Sequence, residues 1–298
     1  MKLVNFYADD GVRAGLLHAD GVEDLATSAQ WIGPAPVSLA DIADLAQRLH
    51  PSSEIRKPVD SLRLAPIVLA PEKIICIGLN YRRHAAESRM EIPSVPTIFA
   101  KFRNSLNGHG GEILLRPADH KYDYEAELGV IIGREASEVS QADALDYVAG
   151  YCCANDFSAR GVQLATSQWG AGKMFDGSLP LGPLLATKEE VPDPQTLGIR
   201  CFVNGEQRQS SSTADMIFGV AQIVSFLSRL LTLKAGDVIA TGTPEGVLAG
   251  KAEPRWLKAG DEITVEIDGL GRLSNRLVAP PIPFHVRTLS VCKASTTY

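Results

Sequence analysis

The sequence predicts an α+β, β-rich fold: a rolled or barrel-like β core preceded by a small α/β unit. Apolar runs of strand length recur from residue 73 onward, at 73–78, 97–102, 124–132 and 149–154. Turn dipeptides of the hairpin kind, Asn204-Gly205 and Asp268-Gly269, punctuate the second half. One long stretch, about 214–231, has helical periodicity, with Met216, Ile217, Val220, Ile223, Val224, Leu227 and Leu231 on one broad face.

Ahead of the β-rich part, segments 2–8 and 12–17 are apolar and joined through Asp9-Asp10-Gly11, a hairpin signal. Ser38 then caps a helix with Leu39, Ile42, Leu45, Ala46 and Leu49 at helical spacing, and His50-Pro51 ends it. Pro51, Pro58, Pro66 and Pro71 crowd the next stretch and place a domain boundary near residue 70. The predicted organisation is a small N-terminal domain over 1–70, a main domain over 71–280 and a peripheral tail over 281–298. A short helical pattern at 141–148 leads into the run at 149–154. A further helix is predicted over 157–168, opened by Asp156.

The chain of 298 residues is 45% hydrophobic, enough for one large domain plus a small one. A net charge of -6 argues against a nucleic-acid partner, which needs clustered Lys and Arg. No stretch approaches the roughly 20 apolar residues of a membrane span, and the start MKLVNFYADDG meets charge before a signal-peptide core could form. The five cysteines (Cys76, Cys152, Cys153, Cys201, Cys292) are odd in number and lack CxxC spacing. They read as reduced, buried thiols, so a cytoplasmic protein is expected.

The chemistry begins at Asp123-Tyr124-Glu125-Ala126-Glu127-Leu128. Residues two apart in a strand share a face, so Glu125 and Glu127 point the same way and repel. A lone pair of this kind is more often the solvated face of an edge strand. Asp156, at the end of the run 149–154, changes the balance. Three carboxylates from two strand ends make an all-oxygen site suited to Mg²⁺ or Mn²⁺. A second cluster, Asn80-Tyr81-Arg82-Arg83-His84-Ala85-Ala86-Glu87, sets His84 and Glu87 three apart on a helix, where a carboxylate can orient an imidazole for base catalysis. By spacing alone, an exposed helix with an incidental pair is the commoner outcome. Lys173 follows glycines in Gly170-Ala171-Gly172, and Thr241-Gly242-Thr243-Pro244 forms a turn able to present N–H groups to an anion. Arg160 and Gln163 follow Asp156 by one and nearly two helical turns. Residues 81–96, charged and interrupted by Pro93 and Pro96, read as a lid over the site.

Together these segments resemble the fumarylacetoacetate hydrolase family from about residue 74 to 278. The resemblance rests on the order GLNYRRHAAE, IFAKF, DYEAELGVIIG, GYCCANDFSAR, GKMFDGSLPLGP, TADMIFGVAQIVSFLSRLLTLKAGDVIATGTPEGV and LKAGDEITVEIDGLGRLSNRLV. It implies a mixed β-sheet roll with a small N-terminal domain, assembled as a homodimer. It also implies metal ligation by Glu125, Glu127 and Asp156, water activation by His84 with Glu87, and a substrate-facing Lys173. Arg160, Gln163 and Thr243 fall where members contact the substrate's carboxylate and oxo groups. The fourth carboxylate that some members use has no upstream match. Ser178-Leu179 and Arg103-Asn104 depart from the family's usual aromatic and proline, changes expected to affect substrate choice.

The implied activity is metal-dependent hydrolysis of a C–C bond in a 2,4-dioxo acid (an acylpyruvate) or a related degradation intermediate. Decarboxylation of an oxaloacetate-like acid, isomerisation of an unsaturated dioate and ureidoglycolate cleavage use the same enolate chemistry and stay open. A binding protein that keeps the fold without catalysis is the remaining alternative. An intact set of site residues argues against it.

Overall fold

The computed structural model describes residues 1–49, 56–116 and 121–280. Two sheets dominate it. The larger has 11 strands, along the path Gly21–Asp24, Gly11–His18, Lys2–Ala8, Leu179–Thr187, Val148–Asn155, Ala126–Ile132, Val238–Ala240, Ile74–Gly78 and Thr97–Lys101, with two short strands off that path. The smaller has five, in the order Glu206–Ser212, Gly198–Val203, Glu262–Ile267, Gly271–Val278 and Glu112–Leu114. Val238–Ala240 runs antiparallel to Ala126–Ile132 but parallel to Ile74–Gly78, so the large sheet is mixed. The β-rich α+β roll predicted from the sequence is the fold observed.

Strands Ala126–Ile132 and Val148–Asn155 are buried along their whole length. That is why they read as unbroken apolar runs rather than as alternating ones. One face packs on the smaller sheet through a core that includes Leu128, Tyr151, Ile199 and Val265. The other face, with Ile131, Cys152 and Leu181, is covered by side chains of the N-terminal helix, Ile42 and Leu45 among them.

The N-terminal elements form where local chemistry demands them. Lys2–Ala8 and Gly11–His18 pair as a hairpin, and Ser38 Oγ accepts the Asp41 N–H at 3.0 Å to cap the helix Leu39–Arg48. Lys2–Ala8 also pairs with Leu179–Thr187, which joins the first 70 residues to the main sheet. His50-Pro51 and the tail 281–298 lie outside the described residues.

Two predicted helices are shorter than expected. Of 214–231, only Val220–Leu230 is α-helical, after a 3-10 turn at Thr213–Asp215. Ile217 and Phe218 donate their N–H groups to the Asn80 carbonyl and Asn80 Oδ1, at 2.7 and 2.8 Å, so tertiary partners take the hydrogen bonds a helix would have used. Of 157–168, a single turn, Arg160–Gln163, is helical, because Ser158–Ala159 stays extended to pair with Tyr122–Asp123. The pattern at 141–148 forms a 3-10 turn, Ala144–Tyr147.

Candidate active site

The sheet register assembles the carboxylates. Ala126 pairs with Asn155 and Glu127 with Ala154. One step further along that ladder Glu125 faces Asp156, whose N–H donates to the Glu125 carbonyl at 3.0 Å. The side-chain oxygens of Glu125, Glu127 and Asp156 come within 4.8 Å of one another, and all three residues are buried. The spacing of the sequence and the turn of one strand into its neighbour are enough to produce this cluster.

Buried cations surround it. Lys173 Nζ bridges Glu125 Oε2 at 2.6 Å and Asp156 Oδ2 at 2.8 Å. Lys101 Nζ, from the end of strand Thr97–Lys101, donates to Asp156 Oδ1 at 2.6 Å and to the Ser178 carbonyl at 3.0 Å. Arg160 reaches Glu125 Oε1 at 2.7 Å and Asp123 Oδ2 at 2.9 Å. Asp123 in turn accepts the N–H groups of Leu248 and Ala249. Lys101 and Asp123 were not among the expected site residues. Asp123 carried a signal, since it continues the period-two series of Glu125 and Glu127. Lys101 carried almost none, as a lone lysine closing an apolar strand.

Glu127 differs from its neighbours. Its one hydrogen-bond donor among the described residues is the Gly242 N–H, at 2.9 Å. Burial, together with the charges of Asp156 and Glu125, pushes its carboxyl well above the usual carboxylate range. Burial opposes the charge on Glu125 too, but Lys173 and Arg160 outweigh it and hold that carboxyl well below its usual range. Four buried carboxylates (Asp123, Glu125, Glu127, Asp156) thus face three buried cations (Lys101, Arg160, Lys173). The uncompensated charge sits at Glu127. An all-oxygen cluster short of positive charge fits a hard divalent cation, held by Glu125, Glu127 and Asp156.

The turn 241–244 has a different task from the one expected. Thr241 N–H donates to the Leu128 carbonyl and Gly242 N–H to the Glu127 carboxylate, so neither group is free for a substrate anion. Gly172 is required for Lys173: a Cβ there would lie 2.4 Å from Gln163 Cβ and 2.6 Å from the Ala159 carbonyl oxygen. That close approach brings the lysine back onto the strand ends.

His84 and Glu87 stand on the helix Arg82–Glu87, with His84 Nδ1 3.3 Å from Glu87 Oε2. Glu87 also accepts the Gly246 N–H at 3.1 Å. Burial works against the Glu87 charge, but the His84 and Gly246 hydrogen bonds prevail and lower its carboxyl below the usual value. Every expected site residue except Asp156 lines one cavity of about 410 Å³. Asp156 is sealed beneath it by the two lysines. Within the cavity wall, Gln163 Oε1 accepts from Arg160 and Thr243 Oγ1 accepts from Gln209, each at 2.9 Å. Neither departure from the family pattern lines the cavity. Ser178 aligns both lysines, accepting Lys101 on its carbonyl and donating its hydroxyl to the Lys173 carbonyl, while Asn104 binds Asp176.

The sequence model described as fumarylacetoacetate (FAA) hydrolase C-terminal matches residues 73–278. The chain belongs to this family. A Dictyostelium discoideum fumarylacetoacetate hydrolase domain-containing protein 2 homolog is 46% identical over 234 residues, covering 74% of this chain and 76% of that one. A Xenopus laevis protein named oxaloacetate tautomerase fahd2, mitochondrial, is 39% identical over 290 residues, 93% of this chain and 90% of the other. The solved fumarylacetoacetate hydrolase of Exiguobacterium antarcticum superposes with a TM-score of 0.80 at 35% identity, covering 94% of this chain and 100% of that structure. The family is one of enzymes that depend on a divalent metal, and the buried triad is where this chain could hold it. Among the described residues no helix is long and apolar enough to cross a membrane.

Proposed function

We propose that the protein is a divalent-metal-dependent hydrolase that cleaves a C–C bond in a 2,4-dioxo acid of the acylpyruvate kind, or in a related catabolic intermediate, with Mg²⁺ or Mn²⁺ as cofactor. The observation that carries this reading is that the His84–Glu87 pair shares one cavity with the carboxylate cluster and Lys173. An ionised carboxylate only accepts, so Nδ1 of His84 carries the proton shared with Glu87 and Nε2 keeps the lone pair of a base. A dication on the triad supplies Lewis acidity toward the oxygens of a bound 2-oxo acid.

The chain's own groups supply the remaining chemistry. His84 takes a proton from water, and the water oxygen bonds to the 4-oxo carbon. The bond between C3 and C4 then breaks with its electron pair left on C3, and the proton held by His84 returns to that half. The products are a 2-oxo acid and a carboxylic acid. The Lys173 ammonium offers N–H groups to oxygen atoms on which negative charge builds. Arg160 is a positioning residue that holds Glu125 against Asp123, and Gln163 and Thr243 offer polar atoms to the substrate's carboxylate and oxo groups.

A second reading has its own support, since the Xenopus relative is named a tautomerase. The same dyad then moves a C3 proton and no water is consumed. Incubation with a panel of 2-oxo and 2,4-dioxo acids plus Mg²⁺ or Mn²⁺ in ¹⁸O-labelled water, read by mass spectrometry, separates the two. Hydrolysis yields two acids, the carboxylic product labelled in its carboxyl group. Isomerisation preserves mass. Release of CO₂ marks a decarboxylase, and no turnover of any member overturns the enzymatic reading.

We further propose a homodimer located in the cytosol. Exposed Ile98 on the edge strand Thr97–Lys101 and Phe102 just after it give a second copy an apolar surface, and the four described cysteines are buried thiols suited to a reducing compartment. Light scattering and cell fractionation test these two points.

A further inference from the structure

We infer that Arg89 selects substrates with a second carboxylate, so that the site prefers a short 2-oxo dioic acid to a 2-oxo acid with an apolar tail. The inference rests on reading the triad as the seat of the substrate's 2-oxo end.

The charges of the cavity are the starting point. Lys173 is committed to Glu125 and Asp156, Arg160 to Asp123 and Glu125, and His84 to Glu87. Arg89 lines the same cavity, yet among the described residues its guanidinium has neither an ion pair nor a hydrogen bond. Where the other cations are already neutralised, this one remains for the charge of a ligand.

The backbone holds this residue in place. Arg89 has φ +53°, in the left-handed region, immediately after the helix C-cap Ser88. Glycine takes that position at least cost, because a Cβ there crowds its own backbone. That conformation closes the helix, with the Met90 N–H donating to the Ala85 carbonyl at 3.0 Å and the Arg89 N–H to the Ala86 carbonyl at 3.2 Å. The cap fixes the backbone from which the Arg89 side chain starts, at the wall of the cavity.

Location supplies the third element. Glu125, Glu127 and Lys173 form the buried end of the cavity, whereas Arg89 and its neighbour Met90 are exposed at its rim. A ligand whose 2-oxo end sits on the triad therefore brings its distal end toward Arg89. A planar guanidinium matches a carboxylate with two parallel N–H donors. The other cations lining the cavity are already paired, so the rim offers one fork and fits a singly charged carboxylate better than a phosphate dianion.

The test compares binding of two ligands of equal length to the Mg²⁺-loaded protein by calorimetry: 2-oxoglutarate, with a terminal carboxylate, and 2-oxopentanoate, without one. The parent should favour the dioic ligand by roughly 10–100-fold, the span of a charge-assisted hydrogen-bonded pair. Arg89→Ala should bring the ratio close to one, and Arg89→Lys should recover only part of it. Arg89→Gly should melt no lower than the parent, since the left-handed conformation suits glycine. Equal binding of both ligands by the parent, an unchanged ratio in Arg89→Ala, or a lowered melting temperature in Arg89→Gly each overturns the role assigned to Arg89. If neither ligand binds any variant with Mg²⁺ present, the reading of the triad itself fails and the inference falls with it. Turnover of 2,4-dioxo acids with an unaltered ligand ratio would leave the proposed activity standing and remove Arg89 alone.

Discussion

Glu125, Glu127 and Asp156 sit at the ends of two central strands that are buried throughout, whereas His84 and Glu87 stand on a helix of six residues whose one buried side chain is Ala85. The carboxylate floor is fixed by a backbone ladder and by Lys101, Lys173 and Arg160, all buried. The wall is fixed by polar contacts at the surface: Arg82 to the Met216 carbonyl, the Arg83 N–H to Asp215, and the Gly246 N–H to Glu87. Buried, mutually dependent charges are costly to disturb, while exposed ion pairs contribute about 0–1 kcal/mol each. A metal site has to hold its geometry, and a base that meets substrate and water has to let both in. The two halves of the site suit the roles proposed for them.

The sharpest way to break this comparison is at the floor. Glu127→Ala should abolish activity and calorimetric Mg²⁺ binding while the far-ultraviolet circular dichroism of the β core persists. Full activity in this variant, or in parent protein after exhaustive chelation, would remove the metal site from the mechanism. At the wall, His84→Ala should lower kcat by roughly 10²–10⁴-fold with Mg²⁺ affinity retained. Joint loss of metal and activity would move His84 from the wall to the floor.

Lys101→Met tests whether the floor is as interdependent as its contacts indicate. Methionine keeps the volume but strips Asp156 of one partner, and an incompletely compensated buried charge costs about 3–5 kcal/mol. Urea unfolding of the metal-free protein should show a loss of that order. A shift below about 1 kcal/mol, within the range of a surface pair, would mean that Lys101 is dispensable.

The smallest effect concerns the mooring of the wall. The folded-state value of Glu87 lies below its ordinary 4.5, so its stabilising contribution is complete above 4.5 and is lost as pH falls through the folded value. Hydrogen exchange at the Gly246 amide, corrected for intrinsic rates, should show protection at pH 7 that declines below 4.5. Protection independent of pH would detach Glu87 from Gly246. In the same experiment residues 81–96 should gain protection when oxalate and Mg²⁺ are added. Equal, strong protection in both states would leave no lid.

What could be read before folding follows from how far each interaction reaches along the chain. Glu125 and Glu127 share a face because strand geometry alternates within three residues, Ser38 caps a helix through a residue three positions on, and Asn204-Gly205 turns with φ of 51° and 80° because those residue types tolerate it. His84 and Glu87 are likewise one helical turn apart. The order of motifs from GLNYRRHAAE to LKAGDEITV extended that legibility to the family and the fold.

The tertiary structure decided what depends on which strands become neighbours. Lys101 meets Asp156 across 55 residues and Arg160 meets Asp123 across 37, only because the sheet order sets their ends together. Asn80 takes the Phe218 N–H across 138 residues and so shortens a helix whose periodicity was sound. The 241–244 turn holds Glu127 because Val238–Ala240 lies beside Ala126–Ile132. The sequence by itself determined the chemical groups and their local spacing. Only the folded sheet decided which charges they would neutralise, because ion pairing follows distance in space while backbone preference follows distance along the chain.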